Sequence, residues 1–418
     1  MRGRARSPTV PGSLNSARPK EELVENTLSL SRSDAHSTNA ASSLVEHELQ
    51  HDRQFHPNLG GVTKGGLANH YPMTLLALHG LGATDDEVRA FRQAWPRHRA
   101  TIAGDLHLVD RGLVTAENWP RFLGQSERLP EFRRVFEALI ERQGLAAVTA
   151  ALVAMRDALP MGLFHPLIRL SFGVTHGDRG LIADALAYMA IRHSDLFHTS
   201  PSPRAIANDA SRSAASVWRR LADEDDVWRL THSFDGRSIH FCERLCAESA
   251  LHEAALPADF GVSRATLPVR IPEICALALR LYLFAPSLTT LHGVTAAQAL
   301  ADLTGCLSTG AAGDDGEAFA ALWARYWIWL SALYIEKGRP RELPVLDPRR
   351  VRTEPNWPEL ARLARAIPEV HLIKMAYSCR WLDETFGPEP LYKLAVVNML
   401  SERNAHPRQG SGLVQTAL

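Results

Sequence analysis

An all-α fold is what the sequence predicts: a single large multi-helix domain around a continuous core. Three observations carry this. From Leu44 onward, most segments place apolar residues three and four apart, between residues that start and stop helices. Alternating apolar–polar runs of the strand type are scarce. No GxGxxG or GxxxxGKS/T pattern opens a βαβ unit, which disfavours a Rossmann or P-loop domain.

Taken in order, residues 1–43 are rich in Ser, Arg, Asn and Pro and lack apolar periodicity, so they read as a flexible extension. The folded domain is expected over residues 44–418. YPMTLLALHGLGA (71–83) has Pro72 in its first turn and glycines at its end. PEFRRVFEALIERQG (130–144) repeats the apolar spacing and stops at Gly144. LAAVTAALVAMRDALP, GLIADALAYMAIRHS and SVWRRLADEDDVWRLTH continue the pattern, the last as one segment over 216–232. IPEICALALRLYLF, TAAQALADLTGCL and EAFAALWARYWIWLSALYIEKG follow, and then WPELARLARAI, AIPEVHLIKMAYSCRW and EPLYKLAVVNMLSE. The aromatic run LWARYWIWLSALY (322–334) suits core packing, with some rings available to line an aromatic pocket.

Composition narrows the partners. Lys+Arg and Asp+Glu both number 46, so no basic field calls for nucleic acid or an anionic membrane. The longest apolar stretch noted, 274–288, is broken by Arg280 and Pro286 and is too short for a bilayer, which needs about 20 residues. The basic N-terminus lacks the apolar core of a secretory signal. The cysteine count is odd, at 5, and no CxxC occurs, which fits reduced thiols and a cytoplasmic location. Cys242 and Cys246, four apart, read as buried core thiols.

Four histidines stand at predicted helix starts. His70 lies two residues before Pro72, and His165 directly before Pro166. His292 precedes Gly293 and a helix expected to open at Thr295; His371 lies in the first turn after Pro368. A helix N-terminus keeps a nearby imidazole neutral, and neutral imidazole is the metal-ligating form. Four such groups can hold a transition metal inside a bundle. The chain has 18 histidines, however, and a hydrogen-bonded cap is the simpler account of any one taken alone. A di-iron carboxylate site would want paired Glu-x-x-His motifs, and Glu48 with His51 supplies one. His79, nine residues after His70, faces away from it on a straight helix; His176, His193 and His198 border helix ends and loops, where surface or capping roles suffice.

His371 and Lys374 sit three apart, so they share one helical face amid apolar neighbours. Two readings of Lys374 stand. It snorkels to solvent along an apolar groove, or it is buried as a neutral amine. Burial can depress a lysine pKa to about 5–6, at a cost of about 5 kcal/mol. The amine could then ligate a metal, act as a base, or take up CO2 as a carbamate.

Four segments resemble the questin oxidase-like family. NHYPMTLLALHGLGATDDEV (69–88) is similar to the family's Asn-His with its apolar helix. GLFHPLIRLSFGV (162–174) and IADALAYMA (182–190) resemble its His-x-x-Ile-Arg segment and the following Ala-Leu-Ala-Tyr helix. TTLHGVTAAQAL (289–300) is similar to its Leu-His-x-Val-Thr segment, and VHLIKMAYSC (370–379) to its His-x-Ile-Lys helix. The segments keep the family's order across about residues 44–400. One departure is Gln298, where related sequences often have His.

The resemblance implies an oxidoreductase that uses O2 on a polycyclic aromatic or quinone-type substrate, by Baeyer–Villiger-type oxidation or ring cleavage. It implies mononuclear non-haem Fe(II), held by His70, His165, His292, His371 and Lys374. Carboxylation of Lys374 would supply the carboxylate that the histidine set lacks. No flavin is expected, and NADPH stays open as a reductant. Arg169, one turn after His165, is carried with Lys374 as a catalytic candidate that orients substrate; an ion pair within the bundle is its alternative. The expected partners are a small aromatic substrate and O2, with no nucleic acid and no membrane, and a homo-oligomer stays open. Two other readings are an NADPH-dependent Baeyer–Villiger-type oxidase without catalytic metal, and a metal-free helical small-molecule-binding protein.

Overall fold

The computed structural model describes residues 42–62, 66–95, 99–108, 110–197, 211–231, 239–308, 315–345 and 355–405. These fall in one unit, Thr38–Leu418. The expected extension lies outside the described residues except for its last two positions, and His198 lies outside them as well.

Helix ends follow their punctuation. Ser42 caps α1 (Ser43–Asp52), and Pro72 sits in the first turn of α2 (Tyr71–Gly80). A reciprocal capping box between Thr84 and Glu87 opens α3 (Asp85–Ala94). Gly144, at φ +59°, separates α4 (Leu129–Gln143) from α5 (Leu145–Ala154). Next come α6 (His165–His176) and α7 (Arg179–Ile191), the latter capped by Asp178. The segment expected as one helix over 216–232 is two, α8 (Ala214–Leu221) and α9 (Asp225–Thr231). The acidic run from Asp223 to Asp226 explains the break: these charges disfavour the C-terminal end of one helix and suit the first turn of the next.

After α10 (Ile239–Cys246) and α11 (Ser249–Ala255), α12 (Leu267–Phe284) carries Pro272 inside it. α13 (Leu288–Leu307) begins earlier than the expected Thr295, because Ser287 and Thr290 form a capping box and Gly293 continues the helix. The set closes with α14 (Asp315–Glu336), α15 (Trp357–Arg365), α16 (Val370–Phe386) and α17 (Pro390–Ala405). Apart from two isolated bridges, no strand occurs among the described residues, so the fold is all-α.

α13 is the hub. It packs on α6, α12, α14 and α16, and nearly all of its residues are buried. Among the described residues one helix, Gly316–Glu336, is long and apolar enough to cross a membrane, unlike the 274–288 stretch singled out from sequence. In its most apolar window 89% is buried inside the protein, as suits a core helix. Cys242 and Cys246 are both buried, as are Cys275 and Cys379.

Candidate metal centre

Four helices form a closed ring: α2 packs on α6, α6 on α13, α13 on α16, and α16 on α2. Each supplies one of the four histidines near its N-terminal end. His70 occupies the cap of α2, His165 opens α6, His292 lies in the second turn of α13, and His371 is the second residue of α16. The helix starts expected from sequence thus hold for three, whereas His292 sits inside its helix.

The four rings converge. His165 Nε2 lies 3.1 Å from His70 Nε2 and 3.0 Å from His292 Nε2. One nitrogen each of His70, His292 and His371 lie within 4.8 Å of one another. Lys374 Nζ is 2.8 Å from His70 Nδ1. Lys374 is fully buried, which disposes of the snorkelling alternative, and His292 is 1% exposed. The His371 side chain keeps 20% of its surface, so the cluster opens to solvent on the side of His371 and the half-buried His70.

Local structure orients each ring. Before α6, Gly162, Leu163 and Phe164 are all left-handed, at φ +63°, +52° and +61°. Such a conformation costs a non-glycine residue about 1–3 kcal/mol and needs support from its surroundings. Phe164 supplies it, fully buried edge-on against Trp329 at 4.6 Å. This turn aims the Gly162 carbonyl at His165 Nδ1, 2.5 Å away. In α13 the Leu288 carbonyl accepts from His292 Nδ1 at 2.7 Å. In α16 the capping residue Glu369 accepts from the backbone of His371 and Leu372, and its Oε1 lies 3.1 Å from His371 Nδ1. Arg403 approaches the same oxygen at 3.5 Å.

These partners fix the protons. A carbonyl only accepts, so Nδ1 of His165 and of His292 carries the hydrogen and Nε2 carries the lone pair. The Glu369 carboxylate imposes the same tautomer on His371. His70 differs: Lys374 meets its Nδ1, leaving its Nε2–H to face His165. Burial holds all four imidazoles neutral, and the Lys374 charge pushes His70 and His165 further down. Burial also lowers Lys374 to about 7, against the opposing pull of Glu369, whose own carboxyl is held down at about 2 by His371 and Arg403 despite its burial. With both protons on Nδ1, the His165 and His292 Nε2 atoms meet at 3.0 Å as two acceptors, and His165 Nε2 also takes the His70 Nε2–H at 3.1 Å.

Arg169 lies outside the ring of imidazoles. It is 1% exposed, and its Nη2 donates to the Asn69 carbonyl at 2.9 Å, next to His70. Gln298 is buried and accepts the Ser378 hydroxyl at 3.0 Å. His79 and His176 meet at the far ends of α2 and α6, with centroids 5.8 Å apart. Glu48 accepts from the Tyr71 hydroxyl and Arg92, away from His51. Glu369 is absent from the residues expected at the site, although a carboxylate two residues before a helix-start histidine is an available signal for its grip on His371. Asn69, wholly buried beside His70, belongs to the Asn-His pair of the 69–88 segment, a pattern that assigns it no role.

A ring of helices whose N-terminal turns deliver four neutral imidazoles and a buried amine to one point defines a class of helical protein with a nitrogen-rich centre. The questin oxidase-like family model matches residues 67–379, and the chain belongs to that family. It is 27% identical over 173 residues to the Baeyer-Villiger monooxygenase AacuH of Aspergillus aculeatus, covering 38% of this chain and 36% of that one. It is 25% identical over 219 residues to the questin oxidase of Aspergillus terreus, covering 49% of each. With the Baeyer-Villiger oxidase mdpL of Emericella nidulans it shares 29% identity over 199 residues, 43% of each. The matched stretches span at most about half the length of these relatives.

Proposed function

We propose that this chain is an O2-dependent oxidoreductase acting on a polycyclic aromatic or quinone-type compound at a mononuclear non-haem iron. The observation that carries the reading is the 3.0 Å approach of His165 Nε2 to His292 Nε2, with the Nδ1 of each ring already held by a carbonyl. Two acceptors in contact repel, and a cation shared between them turns the repulsion into attraction. Ligating histidines commonly donate their other ring N–H to a carbonyl or carboxylate, and His165, His292 and His371 all do so. The donor set therefore fits a transition metal: His165, His292 and His371 would offer Nε2 lone pairs, and His70 would join them in the tautomer that puts its proton on Nδ1, toward a neutral Lys374. When bound, iron would supply the one-electron chemistry that lets O2 react with an organic substrate.

The protein's own groups suit the remaining tasks. Lys374 is wholly buried, and burial brings it down to about 7, so Nζ can hold or release a proton beside His70 Nδ1. Its neutral amine can also add CO2, forming an N–C bond and releasing one proton, to give a carbamate. Four helix N-termini converge here and favour that negative charge, as they favour a phenolate-like oxygen on a substrate. His70 and His371 leave the side by which a substrate approaches. Arg169, tied to the Asn69 carbonyl, steadies His70 from behind rather than meeting substrate directly.

Elemental analysis and O2 uptake with hydroxyanthraquinones test the proposal. Near-stoichiometric iron, lost with activity in Lys374→Ala and partly restored by a short carboxylate, is the expected result. Full iron and full activity in unsupplemented Lys374→Ala would sink the role of Lys374. The relatives' names favour a second reading, a Baeyer–Villiger-type oxidase that needs NADPH and no metal. NADPH consumption matching O2 uptake in iron-free protein would select it.

A further inference from the structure

We propose that Asn69 is a positioning residue that aims the His70 ring into the cluster, and that Asp52 acts through Asn69. This rests on the metal reading above. His70 occupies the cap position of α2, where Ser, Thr, Asp or Asn ordinarily turns its side chain back to the helix. Its side chain makes no such bond; it points into the cluster, toward His165 and Lys374. Asn69 takes over the cap one residue earlier, its Oδ1 accepting from the Tyr71 amide at 3.1 Å. A histidine can therefore stand at the helix start without leaving the first turn open.

Every polar atom of Asn69 is engaged. Its amide donates to the Pro57 carbonyl at 2.7 Å, and its carbonyl accepts from Arg169 Nη2 at 2.9 Å. Its Nδ2 meets both carboxylate oxygens of Asp52 at 3.0 Å. Asp52 is itself buried at the end of α1 and takes Arg99 Nη1 at 2.5 Å. The residue before His70 is thus gripped from four directions, by groups on α1, on α2, on α6 and in the loop after α1. A side chain that only closed the core would need none of these charged partners, since burying Asp52 and Arg169 carries a desolvation cost.

The test uses the full chain with Asn69→Ala, Asp52→Asn and, as a control, Asn356→Ala, which removes the cap of α15 away from the cluster. Ring-nitrogen NMR of histidine-labelled, metal-free protein reads the His70 tautomer, and Co(II) titration reads affinity through its visible bands. Asn69→Ala should average the His70 tautomers and weaken Co(II) binding about 10–100-fold, with about tenfold for Asp52→Asn and no change for Asn356→Ala. Unchanged His70 ring signals in folded Asn69→Ala would overturn the proposal. So would an equal loss of Co(II) affinity in the control, which would mark a general effect of stability. Should Asn69→Ala fail to fold, Asp52→Asn, which keeps the shape, decides on the same two readouts. If the parent chain binds neither Co(II) nor Fe(II), the metal reading fails, and the His70 signals still decide the positioning role.

Discussion

The two sides of α13's surroundings both bury polar groups and are chemically opposite. On the α14 side, large aromatics fill the core and each polar tip has its own partner. Trp218 Nε1 donates to Ser331 Oγ and Trp323 Nε1 to Thr304 Oγ1, both at 3.0 Å; Trp327 Nε1 donates to the Ala255 carbonyl at 2.8 Å. The Tyr326 hydroxyl donates to the Gly293 carbonyl at 2.6 Å. At the histidine end the outer ring nitrogens are satisfied just as carefully, yet two of the inner ones, His165 and His292 Nε2, meet at 3.0 Å as acceptors. Two acceptors held 3.0 Å apart add nothing to the stability of a core, which marks this point as built for something other than stability.

The largest effect should come from breaking the cluster itself. His165→Gln and His292→Gln each remove an imidazole lone pair from the 3.0 Å contact. Co(II) affinity should fall by more than the roughly 100-fold that a change in a supporting residue causes. Urea unfolding of the metal-free protein should move little, because the lost neighbour was a repelling one. A large fall in metal-free stability with affinity intact would reverse the contrast between the two ends.

The converse follows on the aromatic side. Trp327 is fully buried, stacked on Trp218 at 5.4 Å and tilted against Phe260 at 5.3 Å. Trp327→Ala should cost about 3–5 kcal/mol in urea unfolding, with Co(II) affinity unchanged in the fraction that stays folded.

The polar groups behind His70 give a third contrast, in pH. His56 is 1% exposed, its Nδ1 accepting from the Asn58 amide at 2.9 Å. Burial, helped by the Arg133 and Arg169 charges, lowers it to about 4 against the smaller pull of Asp105. The unfolded chain takes up this proton near pH 6.5 and the folded protein only near 4, so stability falls as pH drops between those values. The contribution is about 3 kcal/mol, fully lost below pH 4. His56→Gln should lose that much less stability than the parent chain between pH 7 and pH 4, measured by urea unfolding at each pH. A parallel loss in both proteins would remove His56 from the account.

The sequence made the helices and the four histidines legible for a physical reason. Apolar spacing and capping residues are local signals, and so is a histidine beside Pro72, Pro166 or Pro368. What it hid was tertiary. Four acidic residues divided one expected helix into α8 and α9, and Gly293 looked like a boundary although α13 runs through it. Lys374 had two readings until burial excluded solvent. The tautomers depend on which carbonyl each Nδ1 meets, and the left-handed turn at 162–164 that presents the Gly162 carbonyl to His165 has no pattern of its own. Asn69 and Asp52 are 17 residues apart in sequence and meet only in the fold.

Glu369 offers the finest test, because it belongs to both kinds of chemistry. It caps α16 through the His371 and Leu372 amides, which is a stability role, and it holds His371 Nδ1, which is a role in the cluster. Glu369→Gln keeps an acceptor for the cap but surrenders the charge. A neutral amide oxygen still takes the Nδ1 proton, more weakly, and Arg403 loses its counter-ion. Unfolding should change by about 1 kcal/mol or less, the usual scale of a cap. Co(II) affinity should fall about tenfold, because the imidazole loses the basicity that a carboxylate partner lends it. Glu369→Ala should remove both together. If Glu369→Gln weakened the fold and the affinity in proportion, Glu369 would be a cap alone. The solvent-facing side of the cluster would then be held by packing, as the aromatic side is.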